Sequence, residues 1–313
     1  MSNKKVLRSD HFETLRMTHK TETGPRFNEF RPADILTVVF ASLLLILTAI
    51  SFKKVPSAGY LMLIYFSIII FQILLVYLSK VNKLLALIRD LVFPVIGVLI
   101  IFDSLGLIVH IINPQDIDYV LIRLDYLIFG NYPTVYLERI MHPLLTDVLE
   151  VAYSTYYFMP VALGIAVKLK GHNENFEKTL FFILLCFYLS YIGYMLFPAL
   201  GPRYSIKHLQ EKELGGLLLS EQIQNVLNLL EGVKRDAFPS GHTGVALTVL
   251  FLASRFAKSL FWMLSPLVLL LILATVYCRY HYVVDVIAGV VLTVVTITVG
   301  ELYYKVQMRR KHG

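Results

Sequence analysis

Long apolar runs alternate with polar connectors along almost the whole chain. The runs fall near residues 33–52, 57–79, 92–112, 148–167, 179–198, 240–256, 259–278 and 282–304. A helix needs about 20 mostly apolar residues to cross a hydrocarbon layer of ~30 Å. The pattern therefore predicts an all-α, polytopic membrane protein of about eight transmembrane helices, with both chain termini on one side. The sixth run is short and ends at Ser254-Arg255. Two connectors are too long for simple turns. Segment 113–147 mixes Asp116, Asp118 and Asp125 with Tyr119, Tyr126, Tyr132 and Tyr136, which reads as interfacial structure with tyrosines at headgroup depth. Segment 199–239 predicts a short amphipathic helix, with Ser220 as N-cap, an apolar stripe of Ile223, Val226, Leu227 and Leu230, and Gly232 at its end. Such a helix lies on the bilayer or covers a site that opens on that face.

Composition agrees with the pattern. Of 313 residues, 57% are hydrophobic without counting the 17 glycines, and 16% are charged. Soluble domains carry about 25% charged residues, so a water-soluble globule is excluded; the mean hydropathy is +0.66. The two cysteines, Cys186 and Cys278, are too few for a disulfide framework or a zinc cluster. The net charge of +7 is a topology signal. Nineteen of the 29 Lys and Arg fall on the side of the termini and ten opposite, which predicts cytoplasmic termini. Seven of the nineteen (Lys4, Lys5, Arg8, Arg16, Lys20, Arg26, Arg31) stand in a polar tail at 1–32, and a second basic tail closes the chain at 305–313. No basic stripe with interleaved aromatics points to nucleic acid.

Four polar places fall on the non-cytoplasmic side of this scheme. They are Gly201-Pro202-Arg203 after the fifth run, Phe238-Pro239-Ser240-Gly241-His242 opening the sixth, Arg279, and His281-Tyr282-Val283-Val284-Asp285 before the eighth. Pro239 suits a helix start. The N–H groups that follow, around Ser240, Gly241 and His242, with the helix dipole, form an anion site whose usual guest is phosphate. His281 and Asp285, four apart, share a face if helical. Asp285 would then accept Nδ1–H from His281 and leave Nε2 nucleophilic. Such a spacing alone is weak, arising in about one chain in three by chance, whereas Pro-Ser-Gly-His arises in about one in several hundred. A metal site on His242, His281 and Asp285 is an alternative that Arg203 and Arg279 oppose.

The stretch from Ala274 to Gly289, around Arg279-Tyr280-His281 and Asp285, resembles the third signature of the type 2 phosphatidic acid phosphatase superfamily. Phe238 to His242 resembles its second signature. The resemblance implies a six-helix core at 92–304 containing the two long segments, with two extra helices at 33–91 in front. It implies His281 as the nucleophile toward phosphorus, Asp285 as its orienting carboxylate, His242 as general acid and Arg203 as a phosphate ligand, with no cofactor and no metal. Two family positions differ: Leu196 stands where a lysine is expected, and Ala274-Thr275 where the signature has Ser-Arg. Arg279 or the pair Lys234-Arg235 would supply the missing charge. The form Phe-Pro-x-x-Gly-Pro-Arg with Arg-Tyr-His-Tyr-x-x-Asp is most similar to the inositol phosphorylceramide synthase branch and its bacterial relatives, which implies a bacterial inner membrane rather than a Golgi-type one. A phosphate monoester carries close to two charges near neutral pH and a diester one, so a site short of two cations suits a diester. The expected function is transfer of a phospho-headgroup from a phospholipid to an alcohol through a phosphohistidine. The alternatives are a lipid phosphate phosphatase with water as acceptor, and a non-catalytic lipid-binding or transport protein.

Overall fold

The computed structural model describes residues 29–230 and 233–312. Lys4, Lys5, Arg8, Arg16, Lys20, Arg26 and Gly232 lie outside it, as do the side chains of Leu227 and Leu230. Of the described residues 78% are helical and none lies in a strand. Helices α1 (Pro32–Ile50), α2 (Ala58–Leu78) and α3 (Lys83–Leu105) are followed by a shorter helix α4 (Asp118–Phe129). Then come α5 (Pro143–Ser154), α6 (Met159–Leu169), α7 (Asn173–Leu196), the amphipathic α8 (Ser220–Leu230), α9 (Gly241–Phe256), α10 (Lys258–Tyr277) and α11 (Val283–His312). Among the described residues six helices are long and apolar enough to cross a membrane, and the bent pair at Pro143–Tyr157 and Met159–Leu169 makes a seventh if taken as one span.

Three departures from the hydropathy pattern have physical causes. First, α3 begins at Lys83, not near 92, capped by Asn82 Oδ1 on the N–H groups of Leu84 and Leu85. The helix carries Arg89 and Asp90 because both are paired: Arg89 with Asp34, and Asp90 with Lys168 and with Arg31 at 2.5 Å. Charge within an apolar helix is tolerated when neutralised, but hydropathy averaging cannot anticipate a partner from elsewhere in the chain. Second, the run at 148–167 is not one straight helix. It bends by 50° at the 3₁₀ turn Thr155–Tyr157, just before Pro160. Third, α9 has only 16 residues and reaches about 24 Å at 1.5 Å per residue, so its first turn starts inside the protein.

The buried centre is α7 and α9. The most apolar window of α7 is 67% buried, against 22–39% for the other spans, whose outward faces carry residues such as Val39, Leu63, Leu269 and Val294. Helix α9 packs between α7, α10 and α11, with α6 also against it. Its small residues permit this, as expected for membrane helices held by close packing. At Gly289 of α11 a Cβ would meet the Ser240 carbonyl at 2.7 Å and Thr243 Cβ at 2.8 Å, so α9 and α11 touch backbone to side chain there. This contact brings the start of α9 to the start of α11.

Candidate active site

Two loops and two helix starts converge at one end of the bundle, and α4 holds them together. The Asp118 carboxylate accepts from Leu200 N–H (2.8 Å), Gly201 N–H (2.9 Å), the Ser205 hydroxyl (2.7 Å) and the Tyr282 hydroxyl (2.9 Å). Two turns on, Asp125 accepts from the N–H groups of Val283 and Val284 at 3.0 and 2.9 Å, capping α11. Burial raises the Asp125 carboxyl above its usual range, and the two backbone donors pull against that rise. The Tyr282 hydroxyl is pushed up by burial and by the charge of Asp118.

Gly201 sets the approach of the first loop. Its φ is 85°, and a Cβ there would lie 2.7 Å from the Tyr280 carbonyl. Only glycine is at ease with both conditions. The next turn follows directly, with Arg203 N–H donating to the Arg279 carbonyl at 3.0 Å and the Arg203 guanidinium 5.5 Å from the Tyr280 ring.

His242 is the second residue of α9. Ser240 caps that helix, its Oγ accepting from Thr243 N–H at 3.3 Å. The Ser240 N–H itself donates to the Asp285 carbonyl at 3.1 Å, so it is used in joining α9 to α11 and not offered to a ligand. The His242 ring lies between Tyr153, stacked at 4.3 Å, and Tyr156 at 4.1 Å, with Nδ1 3.4 Å from the Tyr153 hydroxyl. The ring centroids of His242 and His281 are 5.7 Å apart.

The His281–Asp285 pair departs from the expected geometry. Residues 278–282 are not helical and α11 starts at Val283, so the one-face relation of a helix does not apply. His281 Nδ1 donates to the Ala237 carbonyl at 2.8 Å, and Asp285 Oδ2 lies 3.7 Å from Nδ1. A carbonyl only accepts, so the proton sits on Nδ1 and Nε2 keeps its lone pair. Asp285 Oδ2 instead accepts from Tyr282 N–H at 2.9 Å, bracing the turn that carries His281.

A cavity of about 390 Å³ gathers Arg203, Lys234, His242 and His281, together with Tyr153, Tyr204, Asp236 and Tyr280. Four other predicted residues stand elsewhere. The Arg279 Nη2 is 2.8 Å from Glu138 Oε1 and 2.7 Å from the Lys212 carbonyl; burial lowers its pKa, and Glu138 works in the other direction. Arg235 pairs with Asp116 at 2.7 Å. Ser240 and Gly241 are buried behind the wall. Sequence reasoning missed Tyr153, Tyr204, Asp236 and Tyr280, and the bracing pair Asp118 and Asp125. The pair left one signal, two acids seven apart on a short, mostly apolar helix.

A second cavity, of about 310 Å³, is apolar and runs between α3, α6 and α7. It reaches from Asp90 and Leu91, past Val98, Gly164 and Ile183, to Asp236 and His242. Those last two residues also line the polar cavity, so the two share a wall.

No curated protein and no solved structure matches the chain. Comparison with protein families matches residues 120–299 to the PAP2 superfamily. That span covers more than half the chain, from α4 into α11, and includes Arg203, His242, His281 and Asp285; the protein belongs to the PAP2 superfamily.

Proposed function

We propose that the chain is a membrane enzyme that cleaves a lipid phosphoester through a phosphohistidine at His281 and passes the phospho-headgroup to an alcohol. One observation carries this reading: His242 stands in the wall between a polar cavity and an apolar one that extends through the depth of the bundle. A molecule that fills both has a phosphate at one end and a hydrocarbon chain at the other.

In this reading His281 Nε2 attacks phosphorus, and the P–O bond to the leaving group breaks as the P–N bond forms. Protonated His242 gives its proton to the departing alkoxide. Neutral His242 then takes the proton of the acceptor alcohol, whose oxygen attacks phosphorus and breaks the P–N bond, restoring both histidines. Arg203 and Lys234 face the charge that develops on the phosphoryl oxygens, so this scheme asks for no metal. Arg203 and Lys234 set against Asp236 leave one net positive charge in the cavity, which matches a singly charged diester. Lys234 is the residue that compensates for the missing family cations. We place the site on the non-cytoplasmic face, in line with the Lys and Arg distribution.

Hydrolysis, with water as acceptor, uses the same groups. It is favoured by the exposed Lys234 and Tyr204 at the rim, which open the cavity to solvent. The test is to incubate the detergent-purified protein with phosphate-labelled phosphatidic acid and phosphatidylinositol, with and without alcohols. Acceptor-dependent labelled product indicates transfer; free phosphate from phosphatidic acid, or inositol phosphate from phosphatidylinositol, indicates hydrolysis. An acid-labile phosphoprotein, absent from His281→Ala, supports the covalent step. Full activity in His281→Ala ends the proposal.

A further inference from the structure

The helix that carries Tyr153 also carries, one turn earlier, a carboxylate for which the reaction above has no use. Glu150 is 0% exposed. Its carboxylate accepts the Tyr280 hydroxyl at 3.0 Å and Gln224 Nε2 at 2.9 Å. Tyr280 stacks on Tyr153 with centroids 4.2 Å apart and planes at 15°, and Tyr153 stacks on His242. Arg203 stands over the same Tyr280 ring. An apolar side chain would fill the position of Glu150 with less desolvation cost. What the carboxylate supplies is a fixed end point for the Tyr280 hydroxyl.

We propose that Glu150 is a positioning residue of the active site. By fixing Tyr280 it holds the ring stack behind His242 and the surface beneath Arg203, so one buried group sets both the general acid and the phosphate ligand. The proposal rests on the reading of this cavity as a phosphoryl-transfer site. Gln224 extends the support to α8. One turn before Glu150, Asp147 takes the N–H groups of Leu217, Leu218, Leu219 and Ser220 at 2.9–3.2 Å, which seats the start of α8 on α5. The expected amphipathic helix is thus built into the support of the site through two carboxylates on α5, three residues apart and on neighbouring positions of one face.

The test uses the full-length protein in mixed micelles with labelled phosphatidic acid and phosphatidylinositol, alongside binding of inorganic orthovanadate by calorimetry. A displacement of about 1 Å in catalytic groups costs about a hundredfold, so Glu150→Ala should lower kcat by about tenfold to a hundredfold and weaken orthovanadate binding. The lipid KM should change by less than about threefold, because the apolar cavity is untouched. Glu150→Gln, which keeps an acceptor for Tyr280, should restore most of kcat. Tyr280→Phe keeps the stack and loses the tether, and should reproduce the loss, with Glu150→Ala/Tyr280→Phe no worse than the poorer single variant. A kcat for Glu150→Ala within about twofold of wild type, or losses that multiply in the double variant, would overturn the proposal. If Glu150→Ala is not recovered folded, Tyr280→Phe decides by the same twofold criterion. If His281→Ala keeps full activity, or the wild type turns over neither lipid, the underlying reading fails and takes this one with it. Normal Glu150 variants of an enzyme that depends on His281 sink this one alone.

Discussion

Removing the Asp118 side chain should separate the Arg203 loop from the His281 turn, and the structure sets the size of the effect. Two of its four donors, Leu200 and Gly201 N–H, lie in the loop that carries Arg203. The Tyr282 hydroxyl belongs to the turn that carries His281. The fourth, the Ser205 hydroxyl, is half-buried and can turn toward water. Hydrogen bonds to a charged group contribute about 1.5–3 kcal/mol each, and a donor left buried costs about 1–3 kcal/mol. Three such bonds share one acceptor and are not additive, so Asp118→Ala should cost ~3–5 kcal/mol, the range for removing one member of a buried charged pair. Asp118→Asn keeps one acceptor oxygen and turns an NH₂ toward the remaining donors, so about half of that loss should remain. Because the Arg203 loop and the His281 turn lose their common tether, kcat/KM should fall by about a hundredfold. Thermal unfolding in detergent and steady-state turnover of the two labelled lipids measure both effects. The reasoning is refuted if Asp118→Ala unfolds within ~0.5 kcal/mol of wild type, the range of neutral surface changes, or if it loses stability while keeping full turnover.

Asp125→Ala removes only the cap of α11 and should cost about 0.5–2 kcal/mol of stability, measurable in the same unfolding experiment. Gly201→Ala combines a positive φ with a 2.7 Å contact to the Tyr280 carbonyl; turnover should drop at least tenfold, roughly the consequence of a sub-ångström loop shift. Arg203→Ala and Arg279→Met should separate cleanly. The first should weaken orthovanadate binding with little loss of stability. The second should leave anion binding intact but destabilise the fold by about 3–5 kcal/mol, since it removes the cation paired with the buried Glu138. Gly164→Leu places a side chain in the apolar cavity and should lower kcat/KM for long-chain lipids about tenfold, near the upper range for crowding a hydrophobic pocket by a few methylenes, while short-chain soluble esters are turned over as before.

How far the chain could be read in one dimension depends on what each feature rests upon. The apolar runs predict helices because an unpaired backbone in hydrocarbon is costly whatever the neighbours are, and each predicted run contains a helix. Their ends were harder to read. Lys83–Leu105 continues through Arg89 and Asp90 because Arg31, Asp34 and Lys168 neutralise them from elsewhere in the chain. The Pro-Ser-Gly-His motif and the Arg-Tyr-His segment are local, and they marked His242 and His281, which meet in one cavity.

The roles of the cations were not local. Arg203, Lys234, Arg235 and Arg279 are alike as sequence letters, but two line the cavity and two are committed to Asp116 and Glu138. Likewise His281 and Asp285 have a helical spacing, yet the chain turns between them and the Ala237 carbonyl holds the imidazole. Spacing along a chain constrains side chains only while the backbone stays regular. Where it bends, hydrogen bonds from distant segments choose the partner: Asp118 and Asp125 from α4, and Glu150 from α5. Hydropathy and short motifs therefore established a membrane helix bundle and its two histidines, because both depend on neighbouring residues. The cavity, its charge and its supports arose from folding, because each is an agreement between residues far apart in the chain.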